Sequence, residues 1–412
     1  MFDPFCPLPP SKDPFYTAPR HFQAASPGNA LRFRVAPGNL SSILANCSAA
    51  YNILYRTTDA ANKPSWAVTT LLAPKTAIAD STHGSRNSGR ALVSYQIPYD
   101  SAFVDASPSF LMYDPLQNTT LLDITAALGR GWFVNVPDYE GPLAAFGLGL
   151  QEGHATLDSV RAVLEVIKKV PLGLRPDTKY AIWGYSGGSI ASEWAAELQS
   201  SYAPELRFAG VIAGGLVARF ESTLKLVSSG SAFAGLVPSA LLGLTAEFPH
   251  ARQDLVSRLK KTGPYNATTF LDTLHMSFEQ TIVTFLMQNI SNYFVNGAAD
   301  VFSPDILDLL NSQGVMGEHG VPRMPLFFYK AIADEVAPTP DTDALVDKYC
   351  RLGANILYER NKIGDHETEL QNGHTRSLNW LSDIFGDGNS HNAHGCTVLN
   401  VSVVDPTGPV IA

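Results

Sequence analysis

The sequence predicts an α/β fold in which a mostly parallel sheet is covered by helices. Short apolar segments typical of buried strands alternate with segments of helical spacing along much of the chain, and a strand, a sharp turn and a helix follow one another near its centre. Consecutive parallel strands need a crossover, usually a helix, so this alternation favours a parallel sheet buried on both faces. A long, mostly helical stretch at 217–312 interrupts the pattern and predicts an inserted cap.

The elements are predicted in chain order. The Pro- and aromatic-rich segment 1–40 is predicted to be an extended arm on the core surface, and 51–58 and 66–72 an antiparallel hairpin. The polar tail 386–412 turns β-like towards its end. Apolar strands are predicted at 91–97, 131–137, 178–183, 208–215, 325–332 and 354–359, and helices at 153–169, 190–198 and 375–385.

Three regions follow from this pattern. Residues 1–216 form the first part of the core with its N-terminal arm, 217–312 the helical cap or lid, and 313–412 the second part of the core with the C-terminal tail. An insertion between the central turn and the remaining strands is well placed to cover that turn. We therefore expect the cap to present apolar surface to a substrate.

Composition excludes several classes of protein. The formal net charge of the 412-residue chain is −9, and phosphate binding needs clustered Lys and Arg, so no nucleic-acid partner is expected. No apolar run has the length of a membrane span, and no signal peptide begins the chain, which is what a mature chain shows. No cluster has metal-ligand spacing and no Gly-rich phosphate loop occurs. We expect no metal, no cofactor and no stable protein partner.

Cysteines and glycosylation acceptors indicate a secreted, extracellular glycoprotein. Four cysteines allow three pairings, of which we favour the local one, Cys6–Cys47 with Cys350–Cys396. Acceptor sequences for N-glycosylation occur at Asn39, Asn46, Asn118, Asn266, Asn289 and Asn400.

The central turn has the pattern G-x-S-x-G, with Ser186 between Gly184 and Gly188. An apolar strand precedes it and an Ala-rich helix follows it, which is the context of a nucleophile elbow. Such a turn exposes the serine hydroxyl, and the glycines let strand and helix approach closely. We predict that Ser186 is a nucleophile. The alternative is a Gly/Ser turn with no catalytic role, which has the same sequence pattern.

A serine nucleophile needs a histidine base and a carboxylate that orients the base. In α/β-hydrolases they follow in the order serine, acid, histidine. Asp334 comes shortly after the predicted strand 325–332, and the adjacent Glu335 is the weaker candidate because its side chain projects differently. His366 and His374 both follow the next strand, and the local pattern decides little between them.

An oxyanion site is the remaining requirement for acyl transfer. The backbone N–H of Gly187, directly after the nucleophile, is one predicted donor. The second is expected in the loop after strand 91–97, where Asp100 stands. A carboxylate repels an oxyanion, so the Asp100 side chain serves only if burial keeps it protonated. A turn-capping role for Asp100 is equally compatible with the sequence.

The chain resembles the fungal secretory lipase family. The resemblance lies in nine stretches in matching order: 13–16, 55–58, 94–96, 138–141, 184–188, 201–206, 233–235, 334–335 and 353–356. It implies an α/β-hydrolase fold with a helical cap, Ser186 as nucleophile, Asp334 as acid and His366 as base. It also implies Asp100 and Gly187 as the oxyanion pair, and a Cys350–Cys396 disulfide.

The expected activity is that of a serine carboxylic ester hydrolase, a lipase or esterase acting on acylglycerols or related lipid esters through an acyl-enzyme. Its partner is then a small-molecule or lipid ester, with transient contact at a lipid interface. An alternative within the family is a deacetylase of fungal secondary metabolites such as trichothecenes. An alternative of another class is a catalytically silent hydrolase fold used for binding.

Overall fold

A computed structural model describes residues 7–75, 91–114, 118–386 and 395–407, without the side chains of 118–120. Within these residues, ten strands form one sheet in the order β1-β2-β3-β5-β4-β6-β7-β8-β9-β10. The strands are β1 (Ala30–Val35), β2 (Cys47–Thr58), β3 (Pro64–Pro74), β4 (Ala91–Gln96), β5 (Phe133–Pro137), β6 (Lys179–Tyr185), β7 (Gly210–Gly214), β8 (Leu326–Ala331), β9 (Ile356–Asn361) and β10 (Cys396–Val401).

The pairing confirms the predicted, mostly parallel sheet. The first three strands pair antiparallel with one another, and β3 pairs antiparallel with β5. From β5 to β10 every neighbouring pair is parallel. The carboxyl ends of β4, β6, β8 and β9 therefore open onto the same edge of the sheet, where ligands bind in open α/β folds.

Helices cover both faces of the sheet. The α-helices are α1 (Leu40–Ile43), α2 (Pro108–Leu111), α3 (Asn118–Gly129), α4 (Gly149–Lys169), α5 (Gly187–Tyr202), α6 (Phe220–Val227), α7 (Leu236–Leu244), α8 (Pro249–Ser257), α9 (Ala267–Leu271), α10 (Phe278–Phe285), α11 (Ala298–Val301), α12 (Pro304–Gln313), α13 (Thr339–Arg351) and α14 (His366–Phe385). Short 3₁₀ turns occupy Pro14–Tyr16, Phe22–Ala24, Val104–Ala106, Gly141–Leu143, Asp272–His275 and Ile290–Tyr293.

Alternate residues of the central strands enter different hydrophobic cores. Ile182 of β6 packs in one core with Trp194 of α5. Its neighbour Trp183 packs in the other core with Trp380 of α14 and Ile124 of α3. This alternation is the two-residue period of a strand whose two faces are both buried. The central strands are thus packed on both sides, just before the strand ends that carry the candidate site residues.

The sequence-based elements differ from the structure mainly at the edges. Within the segment predicted as an extended arm, β1 pairs with β2 and belongs to the sheet. The last predicted helix, 375–385, begins nine residues earlier, at His366. Helices α3 and α13 were not predicted. The β-like tail is confirmed as β10, which pairs with β9.

The predicted cap region is helical, and α6 to α12 all lie between β7 and β8 along the chain. Cap residues such as Leu241 and Leu310 belong to the same hydrophobic core as Val211 of β7. The cap is therefore packed continuously onto the sheet, and the boundaries at 217 and 312 stay a prediction. Among the described helices, none combines the length and the apolar character that crossing a bilayer requires.

Candidate active site

The backbone at Ser186 forms a strained turn between β6 and α5. Ser186 has a φ of 51° and a ψ of −121°, a positive-φ conformation that residues with a Cβ seldom adopt. Its N–H donates to the Gly214 carbonyl at 2.9 Å. A Cβ on Gly184 would lie 2.1 Å from the Gly188 carbonyl oxygen, so only glycine fits where the strand passes the helix. The turn projects the hydroxyl beyond the sheet edge.

Three side chains from three strand ends form one hydrogen-bonded chain. The Ser186 Oγ lies 2.8 Å from His366 Nε2, and His366 Nδ1 lies 2.8 Å from Asp334 Oδ2. A carboxylate accepts the Nδ1 proton, which leaves Nε2 as the acceptor for the serine hydroxyl. His366 and Asp334 are both buried. The arrangement is that of a nucleophile, a general base and an orienting acid.

Asp334 is held in its ionised form. Its Oδ1 accepts hydrogen bonds from the Val336 and Ala337 amides at 3.0 and 2.7 Å, and its Oδ2 accepts one from Lys330 Nζ at 2.8 Å. Burial alone would raise the pKa of Asp334, but the neighbouring His366 ring and Lys330 ammonium outweigh burial and hold this pKa well below its usual range. The carboxylate can therefore stabilise an imidazolium at any working pH.

The structure separates the two pairs of alternatives left open by the sequence. Glu335 is exposed and accepts only from the His366 backbone N–H, at 2.9 Å. The His374 Nδ1 is hydrogen-bonded to Asp123, which also accepts from the Tyr95 hydroxyl at 2.8 Å. Neither contacts Ser186 through its side chain in the described hydrogen bonds. The geometry favours Asp334 and His366.

Asp100 and Gly187 lie against each other beside the nucleophile. A Cβ built on Gly187 would lie 1.7 Å from Asp100 Oδ1, so the Asp100 carboxyl occupies the space that any side chain at 187 would need. Gly187 is the first residue of α5, where backbone N–H groups have no acceptor within the helix. Asp100 is buried, has a φ of 39°, and its Oδ1 accepts no hydrogen bond from the described residues. Burial raises the pKa of Asp100 to about 7, although the His366 ring opposes this shift.

Comparison with known proteins identifies the family. A family model described as secretory lipase matches residues 115–392. The trichothecene C-3 esterase of Fusarium sporotrichioides is 49% identical over 408 residues, which cover 98% of this chain and 90% of the esterase. The chain belongs to the secretory lipase family.

Further members and structures place this secretory lipase chain among ester hydrolases. Lipase A of Arthroderma benhamiae is 35% identical over 92% of this chain and 80% of that protein. The crystal structure of Candida antarctica lipase A in its closed state matches with a TM-score of 0.79 and 28% identity, covering 98% of this chain and 90% of the other. The fold is that of the α/β-hydrolases, and the activity is that of a carboxylic ester hydrolase of the lipase and esterase type.

Behind Asp100 lies a group of buried carboxyls that the sequence did not reveal. Glu140 and Glu152 are fully buried, and the Ser101 backbone N–H is the nearest donor to the Glu140 carboxyl among the described residues. Burial, with the nearby Glu152 and Asp100 carboxyls, raises the pKa of Glu140 well above its ordinary value. Burial also raises the pKa of Glu152 to about 8. Protonation is how such closely placed acids avoid mutual repulsion.

Of the covalent features predicted for this secretory lipase, one disulfide is confirmed. Cys350 and Cys396 are bonded and join α13 to the first residue of β10. The Cys47 thiol is buried, and its predicted partner Cys6 lies outside the described residues, so that pairing stays a prediction.

The glycosylation acceptors stay predictions as well. Among them, Asn39, Asn46, Asn289 and Asn400 are exposed and Asn266 is half-buried, whereas the Asn118 side chain lies outside the described residues. No group of three His, Cys, Asp or Glu side chains in the described part of the chain could hold a metal ion.

Proposed function

We propose that Ser186, His366 and Asp334 are the catalytic triad of a secreted carboxylic ester hydrolase. The observation that carries this proposal is the unbroken chain of 2.8 Å contacts from the Ser186 hydroxyl through the His366 ring to Asp334. A serine beside a correctly oriented imidazole can be deprotonated as it attacks, which a free hydroxyl at neutral pH cannot. Secretion is supported by the family name and by the exposed glycosylation acceptors.

In this mechanism His366 Nε2 removes the hydroxyl proton while Ser186 Oγ attacks the ester carbonyl. Asp334 keeps the Nδ1 proton in place and stabilises the imidazolium that forms. The imidazolium then gives its proton to the leaving alcohol, and an acyl-Ser186 remains. Water, activated by the same imidazole, cleaves the acyl-enzyme and regenerates the hydroxyl. The first proton transfer joins two atoms already in hydrogen-bond distance, Ser186 Oγ and His366 Nε2.

We propose the backbone N–H groups of Gly187 and Asp100 as donors to the tetrahedral oxyanion. The Gly187 amide stands at the positive end of α5, where negative charge is stabilised. The Asp100 carboxyl packs on Gly187 and must be neutral for an oxyanion to form beside it. Its raised pKa supports a protonated carboxyl in mildly acidic to neutral solution. One donor of this kind contributes about 10²- to 10³-fold to kcat.

For the substrate we propose first an ester with a short acyl group on a bulky alcohol, as in acylated trichothecenes. The support is the 49% identity to a trichothecene C-3 esterase, against 35% to a lipase of similar coverage. The cap also lies close over the site, because Ser101 Oγ donates to the Met276 carbonyl at 2.9 Å and Phe233 approaches the His366 ring at 6.5 Å. Acylglycerols are the second candidate, favoured by the family as a whole.

Two experiments test these proposals. Ser186→Ala is expected to abolish turnover and fluorophosphonate labelling while the fold is retained, whereas the exposed control Ser312→Ala should behave as wild type. Turnover by folded Ser186→Ala would remove the serine from its role, and absent labelling of the wild type would favour a silent binding protein.

A panel of p-nitrophenyl esters from acetate to palmitate, run with and without an oil–water interface, tests the substrate class. A steep loss of rate beyond short acyl groups, unchanged by the interface, supports the short-chain esterase. Rising rates with chain length and activation at the interface would support the acylglycerol lipase instead.

A further inference from the structure

Lys330 is a fully buried lysine on β8, with β7 and β9 on either side. It lies near the end of β8, and neither its side chain nor that of Asp334 has any exposed surface. A buried lysine is costly unless its charge is paired and its protons are bonded. Its ammonium donates to Asp334 Oδ2 at 2.8 Å and to the Leu216 carbonyl at 3.1 Å.

The oxygen that binds Lys330 is the one that faces the imidazole. Asp334 Oδ2 lies 2.8 Å from both Lys330 Nζ and His366 Nδ1, whereas Oδ1 is occupied by two backbone amides. Two successive hydrogen bonds therefore separate the Lys330 ammonium from the ring that becomes positive during catalysis. Burial lowers the pKa of Lys330, and the adjacent Asp334 carboxylate opposes this shift. Both carboxylate oxygens are therefore held by hydrogen bonds, and Oδ2 is shared between the ammonium and the imidazole.

We propose that Lys330 is a positioning residue that fixes the Asp334 carboxylate and sets the pH range in which His366 acts as a base. The inference rests on the triad assigned under the proposed function and adds a fourth residue to it. An ammonium beside Asp334 offsets part of the negative charge that would otherwise favour the imidazolium. Removing the ammonium therefore favours imidazolium and moves the onset of activity to higher pH.

Other charged groups face this cluster and would stay in place. Asp341 and Asp343 of α13 face Lys330, and Tyr358 and Arg360 of β9 lie beside Asp343. Asp365, Glu367 and Asp100 face the His366 ring. Tyr185 of β6 packs near the same ring, with centroids 5.4 Å apart, and lies near Asp334, and Glu335 accepts from the His366 backbone N–H. None of them contacts Asp334 Oδ2 in the described hydrogen bonds. Loss of the Lys330 ammonium should therefore change the electrostatic environment of this oxygen more than loss of any of these groups.

The test compares two neutral variants. Lys330→Met removes the charge and the donor, whereas Lys330→Gln removes the charge and keeps a donor for Asp334. A charge within a few ångströms typically moves a neighbouring pKa by about one to three units. We expect the acid limb of kcat/KM for p-nitrophenyl acetate to move up by about one pH unit in both variants. Lys348→Met, which breaks the exposed pair with Glu318, should leave the limb unchanged.

The pH at the midpoint of the acid limb of kcat/KM does not depend on the fraction of active enzyme. It can therefore be measured even for a variant that is only partly folded. A limb that stays at the wild-type pH in both variants would overturn the proposal without touching the triad, which Ser186→Ala tests separately. Restoration of the limb by Gln but not by Met would assign Lys330 a hydrogen-bonding role only. Failure of both variants to yield any folded enzyme would likewise reduce Lys330 to a stabilising residue and overturn the proposal.

Discussion

Gly187→Ala is the sharpest test of the oxyanion site, because one methyl group is added where there is no space. The new Cβ would lie 1.7 Å from Asp100 Oδ1, 2.6 Å from its Cγ and 3.0 Å from its Oδ2. Ordinary contacts between such atoms exceed 3 Å, so Asp100 must move by more than about 1 Å, and a displacement of that size can cost about 100-fold in rate. We expect kcat/KM to fall about 100-fold, equivalent to about 2.7 kcal/mol of transition-state stabilisation.

Stability should change much less than activity. Overpacking typically costs about 1–3 kcal/mol, and alanine gains up to about 1 kcal/mol over glycine within a helix. The assay is kcat/KM for p-nitrophenyl acetate per site titrated by a fluorophosphonate, with thermal unfolding measured in parallel. Gly129→Ala in α3, which meets only the end of the Asn46 side chain at 2.9 Å, is the control.

The same Gly187→Ala substitution in an Asp100→Gly variant tests whether the clash with the Asp100 carboxyl causes the loss of activity. In Asp100→Gly, which removes the obstructing carboxyl and accepts the positive φ, the added methyl should cost less than about threefold, a non-additive result expected of residues in contact. Gly187→Ala with near wild-type kcat/KM would refute the reasoning, since it would mean that Asp100 can move freely without loss of oxyanion stabilisation.

Three further predictions concern protonation and structure. In the wild type we expect kcat/KM to decline as pH rises through about 7, because Asp100, with a pKa of about 7, ionises beside the oxyanion. Asp100→Asn cannot ionise and should not show this decline; an identical decline in both enzymes would contradict the prediction. Because the folded pKa of Glu152 is raised to about 8, the native state keeps a proton that the unfolded chain releases near pH 4, so stability is lost as pH rises from about 4 to 8. Glu152→Gln should reduce that slope in denaturant titrations by up to about 1.4 kcal/mol per pH unit, and an unchanged slope would exclude Glu152 as a source. His374→Ala should lower the free energy of unfolding by about 3 kcal/mol, because Oδ1 of the buried Asp123 loses its partner although Oδ2 keeps the Tyr95 hydroxyl. The kcat/KM of the folded enzyme should stay within twofold, and a large loss of kcat/KM would implicate His374 in chemistry.

The sequence predicted the centre of the fold better than its edges. Central strands such as β6 and β7 are mostly apolar, because both faces of a parallel sheet are buried. By contrast β1 carries exposed side chains, including Val35 at 68% exposure, and follows a Pro-rich segment, so its pattern resembled a surface arm. An edge strand has only one packed neighbour and leaves a weaker signal.

The histidine alternatives show where local sequence stops being informative. His366 and His374 lie on the same helix, α14, two turns apart, and both are buried beside a carboxylate. Asp334 is 32 residues from the first, whereas Asp123 is 251 residues from the second, so the choice between them depends on a distant partner. The start of α14 was missed, because the predicted helix began only at 375, although Asp365 gives a local capping signal by accepting from the Thr368 amide at 2.9 Å.

Lys330 and Glu140 were missed for the same physical reason. Each is a charged residue among residues that are predicted to be buried. A charged residue in such a place indicates either that the predicted element is wrong or that the charge has a buried partner. Lys330 stands inside the apolar strand β8, and its partner Asp334 is only four residues away. Glu140 stands just after β5, and its neighbours Glu152 and Asp100 come from separate elements. The first case could be found from the sequence, whereas the second requires the fold.

The two carboxyls nearest the imidazole are pushed in opposite directions, and this difference gives the site its polarity. Asp334 receives two amides and an ammonium, so it stays charged despite burial. Asp100 is buried without such donors to its Oδ1, so burial raises its pKa to about 7 and it keeps its proton below that pH. Paired acids whose environments separate their pKa values mark distinct roles. In the proposed mechanism, the charged acid lies on the side where His366 becomes positive, and the neutral acid lies where the substrate becomes negative. Reversing either environment would place like charges together at the moment of reaction, which is why a neutral Asp100 and an ionised Asp334 must occur in the same pH range for hydrolysis to proceed.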